Sequence, residues 1–306
     1  MVSMPVCTSF FEPVKVQSMA ISSDSHTGKT NVKKPLRIWV YKAFSEILFI
    51  FLSKIVGYRK DVILQNFRNS FPEIPKSKEV GLVNSYYRHL SDLLVELFLL
   101  NNLKTKEISH FVRYENIQLL TRLYRSGKDI LLLASHYGNW EYLLTLPLVT
   151  DYEVIAVYSP ISNAAINRCM LRLRSRFGVR LVKKSDWYRT VLKENYGKPR
   201  IYVMIADQRP VPPYKNPVHF LGKTTFVQAG CERIGQKLNC AIVYTDVEKM
   251  ARHRYKFKFK LMRDSGTEIR SGEILEAYYR ELEKTILRNP SCWLWSHNRW
   301  KNHEAT

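Results

Sequence analysis

Residues 135–141 read SHYGNWE, directly after the apolar run DILLLA. They place an imidazole, His136, five positions ahead of a carboxylate, Glu141. Imidazole titrates near ~6.5 and accepts a proton at cellular pH. A carboxylate on its other ring nitrogen stabilises the imidazolium that forms. Such a pair can take the proton of an alcohol as its oxygen attacks a carbonyl, which is acyl transfer. It can also activate water, so an esterase or thioesterase is a second reading. Gly138 permits a sharp turn, Asn139 is an N-cap candidate, and Trp140 and Glu141 open the next helix. The start of that helix offers free N–H groups to an oxyanion or phosphate. The spacing alone is weakly specific. The chain has 27 Asp plus Glu among 306 residues, and its eight His would give roughly 0.7 such pairs by chance. His110 and Glu115 form one. His110 follows no apolar strand and has no glycine turn beside it, so it reads as surface. The strand–turn–helix setting is what separates His136.

The elements that must hold this loop follow from periodicity. Continuous or alternating apolar runs at 129–135, 153–158, 200–207, 240–247 and 255–262 read as strands. Helical stretches are expected between them, at about 140–149, 163–177, 186–196, 226–238 and 272–287. An earlier helix spans 78–100, with Leu82, Tyr86, Leu90, Leu93, Leu97 and Leu100 at steps of three and four. Strands alternating with helices indicate an α/β fold with a central mixed, mainly parallel sheet. Ser135 and His136 then lie at a strand's carboxyl end, where α/β sheets form their sites.

Composition limits what surrounds the core. Apolar residues make up 45% of the chain and net charge is +21. So large an excess suits anionic lipid headgroups, nucleic acid or an acidic protein partner. Five cysteines, an odd number without CxxC spacing, indicate neither a disulfide framework nor a zinc site. Cys231 and Cys292 read as buried packing. Residues 1–35 show no periodicity and read as a flexible leader without a secretory apolar region. Residues 36–60 read as an amphipathic membrane-anchor helix, with Lys42, Ser45, Glu46 and Ser53 on one face and a wide apolar arc elsewhere. Three charges interrupt it, which makes it a poor bilayer-spanning segment. Residues 61–306 form the remaining domain.

SHYGNWE resembles the HX4(D/E) motif of the lysophospholipid acyltransferase superfamily, in the form found in bacterial lipid A late acyltransferases. Tyr137 stands where Phe is common. Other blocks agree in order: ILQNFRNSFPE (63–73), RSRFG (174–178), ADQRP (206–210), VHFLGKTT (218–225) and LWSHNRWK (294–301). Asn298 replaces an Arg of the last block's usual pattern, which leaves that Arg's role open here. The resemblance implies a glycerol-3-phosphate acyltransferase-like domain on the cytoplasmic face of a bacterial inner membrane. It implies His136 as base and Glu141 as its orienting carboxylate. Arg174 would bind phosphate or stabilise charge, and Asp207 would position substrate. Gly138, Asn139 and Trp140 would meet the substrate through backbone N–H groups. The donor would be an acyl thioester on acyl carrier protein or coenzyme A, and the acceptor a glycolipid hydroxyl. No metal and no cofactor are required. A non-catalytic basic protein at a membrane surface, or one bound to nucleic acid, would keep the charge and the aromatic residues without needing His136. Nucleic acid is the less favoured ligand beside an anchor and an acyl-transfer motif.

Overall fold

The computed structural model describes residues 37–193, 197–210, 212, 215–266, 270 and 272–300. The expected leader at 1–35 lies outside the described residues, as does residue 36 of the expected anchor. Three helices open the described chain: α1 (Arg37–Ile50), α2 (Lys60–Ser70) and α3 (Lys76–Asn102). Strand β1 (Val112–Glu115) and helix α4 (Ile117–Arg125) precede β2 (Ile130–Ala134). Trp140–Leu148 follows as a tight 3-10 segment, then β3 (Glu153–Tyr158), α5 (Ala164–Ser175), β4 (Arg180–Lys183), α6 (Trp187–Lys193) and β5 (Arg200–Ile205). A small hairpin, β6 (Pro217–Phe220) and β7 (Lys223–Phe226), leads to α7 (Gly230–Leu238), β8 (Ala241–Ala251), β9 (Arg254–Arg263) and α8 (Glu273–Arg288).

The seven-stranded sheet has the order β1-β9-β8-β2-β5-β3-β4. Every neighbouring pair is parallel except β8 with β9. The α/β class and the mainly parallel, mixed sheet agree with the sequence reading. Strands β2 and β5 are adjacent and in register, Ala134 opposite Ile205. β2 is a buried run of five apolar residues, as a central parallel strand covered on both faces requires.

Helices cover both faces. Trp187 of α6 meets the Tyr202 ring edge-on at 5.4 Å, and Tyr278 of α8 meets Tyr244 at 5.8 Å. Gly235 of α7 lies so close to Leu131 and Ile242 that an added Cβ would come within 3.3 and 3.1 Å of them. These helices therefore share the Leu131–Tyr202 side of the sheet. The Trp140–Leu148 segment lies on the other side, where Tyr142 meets Tyr255 at 5.8 Å.

Helix α1 buries Ile38 and Phe49 in the core, but it departs from ordinary amphipathic burial elsewhere. Its Ser45 is fully buried, and Glu46 pairs with Arg88 at 2.6 Å and with Arg252 at 2.7 Å. Most of its other large apolar side chains face outward: Trp39 and Ile47 are each 64% exposed, Val40, Phe44 and Ile50 are also exposed, and Phe51 and Ile55 just after the helix continue the exposed side. The helix continues as wider π-type turns over Phe51–Ile55. Helix α3, on which α1 packs, adds exposed Leu94 and Phe98. Among the described residues, no helix is long and apolar enough to cross a membrane.

Candidate active site

The register of two parallel strands builds the site. Two residues beyond Ala134 comes His136, and two beyond Ile205 comes Asp207. The ladder continues past the strands through the Ala206 N–H, which donates to the Ala134 carbonyl at 3.1 Å. Asp207 is thereby delivered to His136. Its Oδ1 lies 2.6 Å from His136 Nδ1, and its Oδ2 accepts the His136 backbone N–H at 2.8 Å. The same Oδ2 accepts the Trp293 indole N–H at 2.8 Å. Burial by itself would raise the Asp207 pKa. The charge of His136 and the hydrogen bonds from His136 and Trp293 outweigh it and hold the carboxyl below its ordinary value. Asp207 therefore stays ionised wherever an imidazole can act as base. With Nδ1–H given to Asp207, Nε2 is left as the acceptor. It lies 3.2 Å from the Gln208 side-chain amide.

This corrects the expected pairing. Glu141 makes its side-chain bonds to Arg174, not to His136. Arg174 Nε donates to Glu141 Oε2 at 3.0 Å, and its Nη2 donates to Oε1. Burial opposes the Arg174 charge, but the Glu141 carboxylate more than compensates and raises its pKa. The separation of five residues is not spanned because Asn139 turns the chain first. Its side chain accepts the Glu141 backbone N–H at 3.1 Å, and the Glu141 carboxylate meets Arg174 of α5.

Gly138 and Asn139 also depart from the expected role in substrate contact, since both lie behind the cavity wall. The Gly138 N–H donates to the Cys292 carbonyl at 2.9 Å. At φ +61°, a Cβ on Gly138 would sit 2.9 Å from the Val247 side chain, so the turn needs glycine for both conformation and space. Trp140 does reach the cavity. Its ring meets His136 edge-on at 4.6 Å.

The carboxyl-terminal block packs against the loop. Tyr137 and Trp293 form an antiparallel bridge, and the Leu294 N–H donates to the His136 carbonyl at 3.1 Å. Trp293, Trp295 and Trp300 are buried in an aromatic cluster with Phe67, Phe71, Phe220 and Tyr279, which leaves them no open face for a ligand. His297 accepts the Arg209 backbone N–H at 3.2 Å, and burial pushes its pKa down to about 4. Cys231 and Cys292 are buried and their thiols pushed up, that of Cys231 to about 12, which suits packing and not nucleophilic attack. Gln208, Trp293 and His297 are site residues that periodicity could not identify, because their partners arrive through the sheet and the chain's return. Among the described residues, no group of three His, Cys, Asp or Glu is placed to hold a metal ion.

His136, Trp140, Glu141, Arg174 and Gln208 line a cavity of about 820 Å³. Its other walls are largely apolar. Ala156 pairs with Val203 across β3 and β5, and alternation puts Val157 and Met204 on the opposite face. All four line the cavity, so it bends around the carboxyl edge of the sheet. Leu143 and Leu144 bound one arm; Trp187, Tyr188 and Ile234 bound the other, with Lys184 and Arg233 among its polar residues.

An ionised carboxylate thus holds an imidazole beside a largely apolar cavity, an arrangement that can accept a proton. The chain matches the family model of the bacterial lipid A biosynthesis acyltransferases over residues 36–302, and it belongs to that family. It is accordingly an acyltransferase, a class that works on an acyl donor and a lipid acceptor. No curated protein matches it closely enough to serve as a relative.

Proposed function

We propose that this chain transfers a fatty acyl group from a thioester to a hydroxyl of a lipid A precursor at a membrane surface, with His136 as general base and Asp207 as the carboxylate that orients it. The carrying observation is the 2.6 Å contact between Asp207 and His136 Nδ1 at the mouth of an apolar cavity. His136 Nε2 takes the proton of the acceptor hydroxyl, at the position now opposed by Gln208. The oxygen attacks the thioester carbonyl. The tetrahedral oxyanion collapses, the carbon–sulfur bond breaks, and the leaving thiolate recovers the proton from the imidazolium. Arg174 and Gln208 supply side-chain N–H donors on the cavity wall for the oxyanion. The Gly138 N–H, already bonded to Cys292, does not serve. The acyl chain lies along the apolar arms.

The donor is acyl carrier protein or coenzyme A, either of which is anionic and drawn to a +21 chain. The outward apolar side of α1 lies in the headgroup–acyl boundary, in the manner of an interfacial helix. Its polar side is committed to α3 and Arg252, which frees the rest for lipid. The test is lipid mass spectrometry of cells making the wild type or His136→Ala. Loss of one acyl group from one glycolipid in the variant supports the reading. An unchanged lipid profile ends it. Release of free fatty acid without acylated acceptor by the purified protein favours hydrolysis instead.

A further inference from the structure

Behind the catalytic loop lies a carboxylate that the mechanism does not use. Glu96, in the middle of α3, is 0% exposed. A carboxylate is costly to bury unless its oxygens are paired, and this one accepts hydrogen bonds from three side chains. Its Oε1 accepts from His253 Nδ1 at 2.9 Å and from the Tyr255 hydroxyl at 3.1 Å. Its Oε2 accepts from the Asn139 side-chain amide at 2.7 Å. The orientation of that amide is fixed at both ends. Asn139 Oδ1 accepts the Glu141 backbone N–H, so only the Nδ2 side can face Glu96. One carboxylate thus ties the first turn after His136 to α3 and to the β8–β9 hairpin, where His253 sits at φ +63°.

We infer that Glu96 is a positioning residue: through Asn139 it sets where Trp140 and Glu141 stand in the cavity, and so the environment of His136. Trp140 and Glu141 follow Asn139 directly. One meets the His136 ring edge-on and the other holds Arg174. The Asn139 side chain is held between Glu96 on one side and the Glu141 N–H on the other. The polarity of the pair is what matters. A glutamine at 96 keeps an acceptor for His253 and Tyr255, but it turns an NH2 group toward the Asn139 NH2, donor against donor. Replacing Asn139 by Asp as well restores a donor–acceptor pair of reversed sense, and the aspartate's second oxygen still accepts the Glu141 N–H.

The inference rests on the acyl-transfer reading only for its kinetic measurement. The experiment compares wild type, Glu96→Gln and Glu96→Gln/Asn139→Asp in the full chain. Two quantities are followed: kcat for acyl transfer and the NMR signals of the His136 ring, which report the nearby Trp140 ring whether or not the protein turns over. We expect Glu96→Gln to lower kcat by more than tenfold with KM little changed, and to move the His136 signals. The double variant should recover to within about threefold of wild type and return the signals toward their original positions. The inference is overturned if Glu96→Gln leaves both measurements unchanged. It is equally overturned if the double variant does no better than the single one in turnover, ring signals or folding. Wild-type protein without acyl transfer would sink the functional reading instead, and the ring signals would still decide the role of Glu96.

Discussion

The loop at 135–141 and the helix at 37–50 break the usual burial rule in opposite directions. The loop takes polar groups inside and supplies three of them with partners: Asp207 for His136, Arg174 for Glu141, Glu96 for Asn139. The helix does the reverse. Beside Ile38 and Phe49 it buries Ser45, it pairs Glu46 with two arginines, and it leaves Trp39, Val40, Phe44, Ile47 and Ile50 facing out. Buried polar groups with complete partners hold one geometry. An exposed apolar side holds no geometry of its own and is completed by whatever it meets. Under the proposed function, chemistry belongs to the first region and location to the second, so changes in one should leave the other's property intact.

The largest effect should come from His136→Ala. Losing the general base should lower kcat by about 10³–10⁴-fold with vesicle binding unchanged; comparable losses of both would merge the two regions. Asp207→Asn should cost about 10²–10⁴-fold, because the imidazole loses its orienting charge. In the other region, replacing Trp39, Phe44, Ile47 and Phe51 together by Ser should weaken sedimentation with anionic vesicles. A loss of about 10²–10⁴-fold follows if each contributes half of the 1.5–3 kcal/mol that full burial gives, while kcat toward a detergent-dispersed acceptor stays near wild type. Glu141→Gln should be milder, about tenfold, since it loosens Arg174 and leaves the His136 contacts alone. An Asp207→Asn variant more active than Glu141→Gln would restore the pairing expected from spacing.

The smallest effect concerns pH. His297 is held neutral by burial down to about 4, whereas an unfolded imidazole takes its proton near ~6.5. Its contribution is complete above about pH 6.5 and is lost as pH falls toward about 4. After allowance for its partial exposure, that loss is on the order of 1–2 kcal/mol. His297→Gln, which keeps an acceptor for the Arg209 N–H, should flatten the fall in melting temperature over that window. An unaltered slope would mean that His297 does not titrate as described. Buried His89, also pushed well below its ordinary value, should preserve part of the slope in the variant.

Much of this was legible in the residues. The apolar runs located β2, β3, β5, β8 and β9 closely, because central strands carry a pattern that few alternatives share. Strands β1 and β4, four residues each, were missed, as was the β6–β7 hairpin. VRYE and RLVK are too short and too charged to show alternation. His136, Asp207 and Arg174 each stood out in the sequence, but His136 was matched with Glu141, while Asp207 was given to substrate positioning and Arg174 to phosphate or charge. Spacing along a chain reports only what a local turn can join, and it favoured Glu141. Asp207 reaches His136 across a separation of 71 positions because β2 and β5 are parallel neighbours in register. The clue was present in a weaker form: in both segments the polar residue stands two places after the last strand residue. Using it requires knowing which strands are adjacent, and no periodicity supplies that. The outward side of α1 was anticipated from its wide apolar arc, whereas the partners of Glu46 were not.

The late return of the chain also sets a timetable for synthesis. The Tyr137 hydroxyl is bonded to the carbonyl of Asn289, 152 residues downstream, and the indole that steadies Asp207 lies beyond that. At ribosomal speeds of 5–20 residues per second, the first half of the site waits about 8–30 s for its second half. During that interval the imidazole lacks its final clamp, so a growing polypeptide already resting on lipid would be catalytically silent.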